Sequence, residues 1–335
     1  MEAAFDVAGL VGHRYRTDDF YEVGREKIRE YARAVQDFHP AHWSEDAAAA
    51  AGHRGLLTPT TFLSIAAMLA NRRLIATLTT GYDMFVQTDQ LFELHKPVLA
   101  GDRLVIDVEL SSVRRIAGKD LLTITNTFTD PAGEIAQTMH TTVVGITGAD
   151  IDAGIGPRIE RVIMNGLDAM PRTTSTLDSG PQHQLSAVSR TRLPHTAIRF
   201  EDITDGYELP ARTVHLTRGD LVNYAGVSGD ANPIHWDDGI AAHAGLPDVI
   251  AHGVLTMALG AGFVTDWLGD PAAVIRYGVR LSNYTVLAAA STTGIEFTGR
   301  VKSLDPATRS AVVVIVAKSA GRKVFGLATA DVRLA

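Results

Sequence analysis

The sequence predicts an α+β fold built twice over, each copy pairing one long apolar helix with an antiparallel sheet. Three observations carry this reading. First, Asp37, Pro40, His42 and Trp43 return as Asp230, Pro233, His235 and Trp236 at a constant offset of 193 residues, the mark of an internal repeat. Second, each pattern is followed by an apolar run of helical length, Pro59–Leu69 in the first half and Val254–Trp267 in the second. Third, three runs rich in Val, Ile and Thr follow each helix.

The elements follow in chain order. Arg25–Ala32 precedes the first Asp/His pattern, and Thr217–Ala225 precedes the second. The first half then offers strands over Leu104–Leu110, Leu121–Phe128 and Thr138–Val144, with Asp130-Pro131-Ala132-Gly133 as a hairpin turn. Thr293–Phe297, Ala311–Ala317 and Lys323–Ala330 answer them in the second half, punctuated by Asp305-Pro306. Between the halves the character changes. Thr173–Thr176 and Ser179-Gly180-Pro181-Gln182 carry no sustained period, so residues 148–198 read as a linker with one short helix near Arg158–Leu167. The expected division is therefore 1–147, 148–198 and 199–335.

Composition narrows the class. A chain of 335 residues favours two domains or one duplicated unit, and 46% apolar with 21% charged residues suits a globular protein with a large core. The net charge is −7, with no basic run interleaved with aromatics, so nucleic acid is not expected as a partner. The chain has no cysteine, which removes disulfides, thiolate nucleophiles and thiolate metal sites and fits a reducing cytoplasm. Met1–Asp6 lacks the basic-then-apolar order of a secretory signal, and no uncharged apolar run approaches the roughly 18 residues of a membrane helix. A cytoplasmic protein without membrane insertion is expected.

The chemistry concentrates in Ser228-Gly229-Asp230-Ala231-Asn232-Pro233-Ile234-His235-Trp236. Gly229 lets the chain turn sharply and Pro233 fixes its own φ, so Asp230 and His235 should share one rigid loop. Seventeen residues beyond His235 comes Ala251-His252-Gly253-Val254-Leu255, at the start of an apolar helix. A helix start presents unpaired N–H groups and partial positive charge. A carboxylate, an imidazole titrating near neutrality and a backbone donor are what is needed to add water beside a thioester carbonyl, or remove it. Taken singly, each residue has a plainer reading as a turn former or packed histidine. His252 is expected to position the loop, and Tyr224 and Trp236 to line core or pocket.

The Gly-Asp-x-Asn-Pro-x-His string followed by His-Gly-x-Leu resembles the MaoC-type hydratases and dehydratases. The resemblance implies a double hot-dog fold, each unit a central helix wrapped by an antiparallel sheet. It also implies that Asp230 and His235 hold the reacting water, that Asn232 orients them, and that the Gly253 N–H binds the thioester carbonyl oxygen. Some members carry a hydroxyl eight positions after that glycine, where this chain has Ala261.

Asp37 and His42 repeat the spacing, but His39 stands for Asn232 and Gln36 for Gly229, and the oxyanion position is expected to fall on Pro59, which has no N–H. The first half therefore reads as a degenerate lobe. His39 and His42, three apart with no third ligand, make a weak metal pair, so neither metal nor cofactor is expected.

Nearly the whole of both halves resembles the two-subunit mycobacterial (3R)-hydroxyacyl-ACP dehydratases. Asn223–Asp230, Asn232–Asp238 and Gly299–Ser303 look like the catalytic HadB subunit, and Arg25–Ala32 and His95–Asp102 like its HadA or HadC helper. The resemblance implies a fused pseudo-heterodimer, itself able to form a homodimer, that dehydrates (3R)-hydroxyacyl thioesters on acyl carrier protein in type-II fatty-acid and mycolic-acid elongation. Arg300, Lys302, Arg322 and Lys323 are the cations available to an acidic carrier. An (R)-specific enoyl-CoA hydratase and a non-catalytic acyl-binding scaffold are the alternatives.

Overall fold

The computed structural model describes residues 7–78, 81–82, 84–147, 155–162 and 193–335. The first half runs β1 (Arg14–Arg16), β2 (Tyr21–Glu22), α1 (Arg25–Ala34), α2 (Glu45–Ala50), α3 (Ser64–Leu78), β3 (Met84–Leu94), β4 (Arg103–Ile116), β5 (Lys119–Thr129) and β6 (Ile135–Ile146). After α4 (Ile155–Val162), the second half runs β7 (Glu208–Leu216), α5 (Arg218–Ser228), α6 (Asp238–His243), α7 (Gly253–Leu268), β8 (Val274–Leu281), β9 (Thr293–Asp305), β10 (Ser310–Ser319), β11 (Arg322–Lys323) and β12 (Phe325–Arg333). Of the expected linker, 148–154 and 163–192 lie outside the described residues, as does the end of the helix expected near Arg158–Leu167.

The strands form one antiparallel sheet in the order β1-β4-β5-β6-β3-β8-β12-β10-β9-β7, with β2 on β4 and β11 on β10. The halves join where β3 pairs with β8, Asp89 opposite Arg280 and Phe92 opposite Tyr277. At this seam Arg280 donates to Asp89 at 2.7 Å, and the Phe92 and Tyr277 rings stack 6.0 Å apart.

Helix α7 is apolar almost all round and its residues from Leu255 to Thr265 are buried, as a helix enclosed by sheet must be. Gly260 lets it close on that sheet: a Cβ there would stand 2.7 Å from the Tyr277 hydroxyl, which donates to the Met257 carbonyl at 2.7 Å. Its counterpart α3 begins at Ser64 rather than Pro59, because residues 60–63 form turns first. It is also less enclosed, with Leu69 at 41% exposure.

Candidate active site

Helix α5 delivers the chain to Asp230. It opens with a capping box, Thr217 and Asp220 each satisfying the other's backbone N–H. It closes at Gly229 in the left-handed region (φ 78°), so glycine, not Pro233, ends the helix. Pro233 instead starts a 3-10 turn, Pro233–His235, capped by the Asn232 side chain accepting from the Ile234 N–H. The Asn232 N–H in turn donates to Asp230 Oδ1 at 3.3 Å.

His235 is buried, and its Nδ1 lies 2.7 Å from the Ile250 carbonyl. A carbonyl can only accept, so Nδ1 carries the proton and the neutral ring keeps its lone pair on Nε2. No ion pair joins this ring to Asp230. Instead the ligand atoms of Asp230, His235 and His252 all lie within 4.8 Å of one another. Burial lowers the His235 pKa, against the opposing pull of Asp230 and the Ile250 carbonyl.

His252 caps α7 and stacks on His235 at 3.8 Å, with 28° between the rings. Its Nε2 is 3.3 Å from the Asp230 carbonyl, and burial followed by repulsion from His235 pushes its pKa down to about 2. A neutral spacer between the loop and α7 is the result. Gly253 follows as the first helical residue, so its N–H has no partner within the helix. A Cβ there would meet Leu281 Cδ1 at 2.9 Å. The three ligand-type groups make a poor metal cage, since an ion about 2 Å from an imidazole nitrogen lies in the ring plane and nearly parallel stacked rings share no such point. Ala261, where some relatives carry a hydroxyl, is buried and apolar.

The first half repeats the scaffold with different contents. His42 Nδ1 lies 2.7 Å from the Leu57 carbonyl, the counterpart of Ile250, and Gln36 adopts the left-handed turn of Gly229 (φ 51°). Here the dyad is shut: His42 Nε2 stands 3.4 Å from Asp37 Oδ2. His39 reaches across to the Gly269 carbonyl at 3.1 Å. The bridges Leu57–Leu99 and Ile250–Val286 fix the register between halves, and they place Thr60, not Pro59, opposite Gly253. The first half lacks a helix-start N–H at this point for a different reason. Thr60 sits in a turn four residues ahead of α3, so no helix start is aimed from there.

A cavity of about 630 Å³ opens elsewhere in the first half, between Arg54, Lys96, Asp102, Arg103 and Asp130. Its cations are already paired: Arg54 with Asp102, Lys96 with Asp130 and Glu134, Arg103 with Glu22. It shares no residue with either dyad.

With this geometry in view, the likenesses to known proteins become specific. Residues 9–139 match a FAS1-like dehydratase domain region and residues 202–293 a MaoC-like domain. A solved MaoC-like dehydratase is 52% identical, covering 98% of this chain and all of its own, with a TM-score of 0.93. The chain belongs to the MaoC-like dehydratase family. Its activity class is thus that of the hydratases and dehydratases, a hydro-lyase. A UPF0336 protein of Mycobacterium tuberculosis is 41% identical over 145 residues, which is 43% of this chain and 92% of that protein. A second M. tuberculosis protein, described as a double hotdog fold, shares 13% identity at a TM-score of 0.61 and covers 96% of each chain. The expected double hot-dog architecture is what the sheet and its two helices form. Among the described residues, no helix is long and apolar enough to cross a membrane.

Proposed function

We propose that this MaoC-like dehydratase acts on (3R)-hydroxyacyl thioesters, at one site made by Asp230, His235, Asn232 and Gly253. The observation that carries this is the open dyad: an imidazole with its lone pair on Nε2 and a carboxylate too far apart to pair, beside an unpaired helix-start N–H. A substrate hydroxyl fits between them. The thioester carbonyl sits on the Gly253 N–H, and His235 Nε2 takes the C2 proton as charge moves onto that oxygen. The electrons then return to form the C2–C3 double bond. The C3–O bond breaks, and His235 passes the proton it took from C2 to the departing hydroxyl, which leaves as water held by the Asp230 carboxylate. The reverse sequence hydrates a trans-2-enoyl thioester.

In this reading 199–335 is the catalytic unit, 1–147 a helper lobe for the acyl chain and 148–198 a tether. Acyl carrier protein is the proposed carrier, in fatty-acid or mycolic-acid elongation. The support is a pair of exposed cations, Arg322 and Lys323, on the short strand β11. Arg322 donates to Asn283, which donates to the Lys323 carbonyl, beside the strand end that holds Leu281 against Gly253. Arg300, by contrast, lies opposite Glu208 of β7. The test follows loss of the conjugated enoyl absorbance on CoA- and carrier-bound substrates, for wild type, Asp230→Asn and Asp37→Asn. Loss in Asp230→Asn alone is expected. Equal loss in both variants overturns the single-site reading, and no turnover by wild type on either carrier favours an acyl-binding scaffold.

A further inference from the structure

Tyr31 of α1 and Tyr224 of α5 stand 193 residues apart and meet with ring centroids at 6.3 Å, so the axis relating the halves passes between them. Helix α7 reaches across that axis to the dyad loop of the first half. A Cβ at Gly262 would lie 4.0 Å from Asp37 Oδ2, and His39 Nε2 is 3.1 Å from the Gly269 carbonyl. The shut dyad thus lies directly against α7. The repeat puts Leu69 and Ala76 of α3 where α7 has Gly262 and Gly269, and so on the side of the Asp230 loop. These two are the exposed residues of α3, Leu69 at 41%, with Met68 beside it half-buried.

Helix α3 also carries an insertion. The buried Tyr15 hydroxyl donates to the Ala70 carbonyl at 2.5 Å and accepts the Leu74 N–H at 3.2 Å, the two groups an unbroken helix pairs directly. A hydroxyl in that place spreads the ladder between Leu69 and Ala76. The seam that is filled beside Asp37 is therefore open beside Asp230. With the thioester carbonyl on Gly253 and C3 at the dyad, the carbons from C4 outward need an apolar path leading away. We propose that they run along α3 on the face of Leu69 and Ala76, and that Leu69 sets which acyl chains the site accepts. The two residues are two turns apart, about 10 Å, and both are apolar, so an acyl chain laid there removes apolar surface from water without stranding a polar group.

This inference rests on the active-site reading above, so the experiment carries Asp230→Asn as a separate arm. kcat/KM is measured on crotonyl and dodecenoyl thioesters, each on CoA and on acyl carrier protein, for wild type and Leu69→Trp. Tryptophan fills the open face from an exposed position. It should lower kcat/KM about 10-fold or more on the dodecenoyl substrate, with the crotonyl value within about threefold of wild type. Leu69→Phe should act in the same direction, and the test stands on it should the tryptophan variant not fold. An unchanged ratio between the two substrates overturns the proposal: the chain leaves by another route, or a segment of the protein itself covers the face. Equal losses on both substrates overturn it too, as does a wild type that turns over the crotonyl substrate and not the dodecenoyl one. If Asp230→Asn keeps the wild-type rate on both, the reading of the active site has failed rather than that of the acyl path.

Discussion

His42 lies 3.4 Å from Asp37, whereas His235 makes no ion pair with Asp230, although both imidazoles are tethered to equivalent carbonyls at 2.7 Å. The scaffold is shared and the gap is not. One dyad is filled by its own partner and the other leaves room for a hydroxyl between its groups.

The open dyad sets the pH response of the reaction. His235 must be neutral to accept a proton, and burial lowers its pKa from the ordinary value of 6.5. Activity should hold through neutral pH and fall only as pH drops through that lowered value. Asp230→Asn should lose about 10²–10⁴-fold in kcat at every pH. A kcat/KM profile from pH 5 to 8 checks both. A rising limb centred above 6.5 would show that His235 is not the base.

Gly253 offers a test of the backbone donor. Gly253→Pro removes the N–H at a helix position where proline is tolerated, while Gly253→Ala keeps it. Both variants bring a Cβ against Leu281, so their difference isolates the donor. Proline should lower kcat about 10²–10³-fold below alanine, the cost of losing one oxyanion donor. Equal rates would remove Gly253 from the mechanism.

His252 should make the fold sensitive to mild acid. Its pKa falls from 6.5 to about 2 on folding, so the unfolded chain takes up its proton first. Stability from this group is therefore full above pH 6.5 and drains as pH falls, by about 1.4 kcal/mol per unit. Tm measured between pH 7 and 5 should fall more steeply for wild type than for His252→Gln. His235 contributes to the same slope, so the variant's curve is flatter rather than flat.

Asp37 acts in a lower range. Burial would raise its pKa, but His42 and the His39 N–H outweigh that and leave it below the usual 3.8. A depressed carboxylate stabilises the fold above its unfolded pKa and loses that contribution as pH falls through the folded one. Asp37→Asn should lower Tm at pH 7 and flatten the acid limb below pH 4. Enoyl hydration by the folded variant should stay within about twofold of wild type.

Much of this was legible in the sequence because the repeat preserves its punctuation. Asp37/Asp230, His42/His235 and Trp43/Trp236 announce two copies, and α7 is apolar enough to be recognised without tertiary information. The start of α3 was not. Nothing local shows that turns occupy residues 60–63 ahead of α3, although the 193-residue offset itself sets Thr60 opposite Gly253 and the bridges at Leu57 and Ile250 agree with it. Strand β3 also escaped, its alternation interrupted by a bulge between Gln87 and Asp89. Tyr224 read as core, which it is.

The seam between β3 and β8 has a further consequence. Strands of separate subunits part on dilution, but these belong to one polypeptide, so each meets its partner at a concentration set by the chain itself. Turnover per molecule should not depend on how much protein is present. Stoichiometry is fixed at one lobe to one lobe, and neither can be captured by a rival partner. If the proposed single site holds, that guarantee leaves the Asp37 lobe free to keep its own dyad shut.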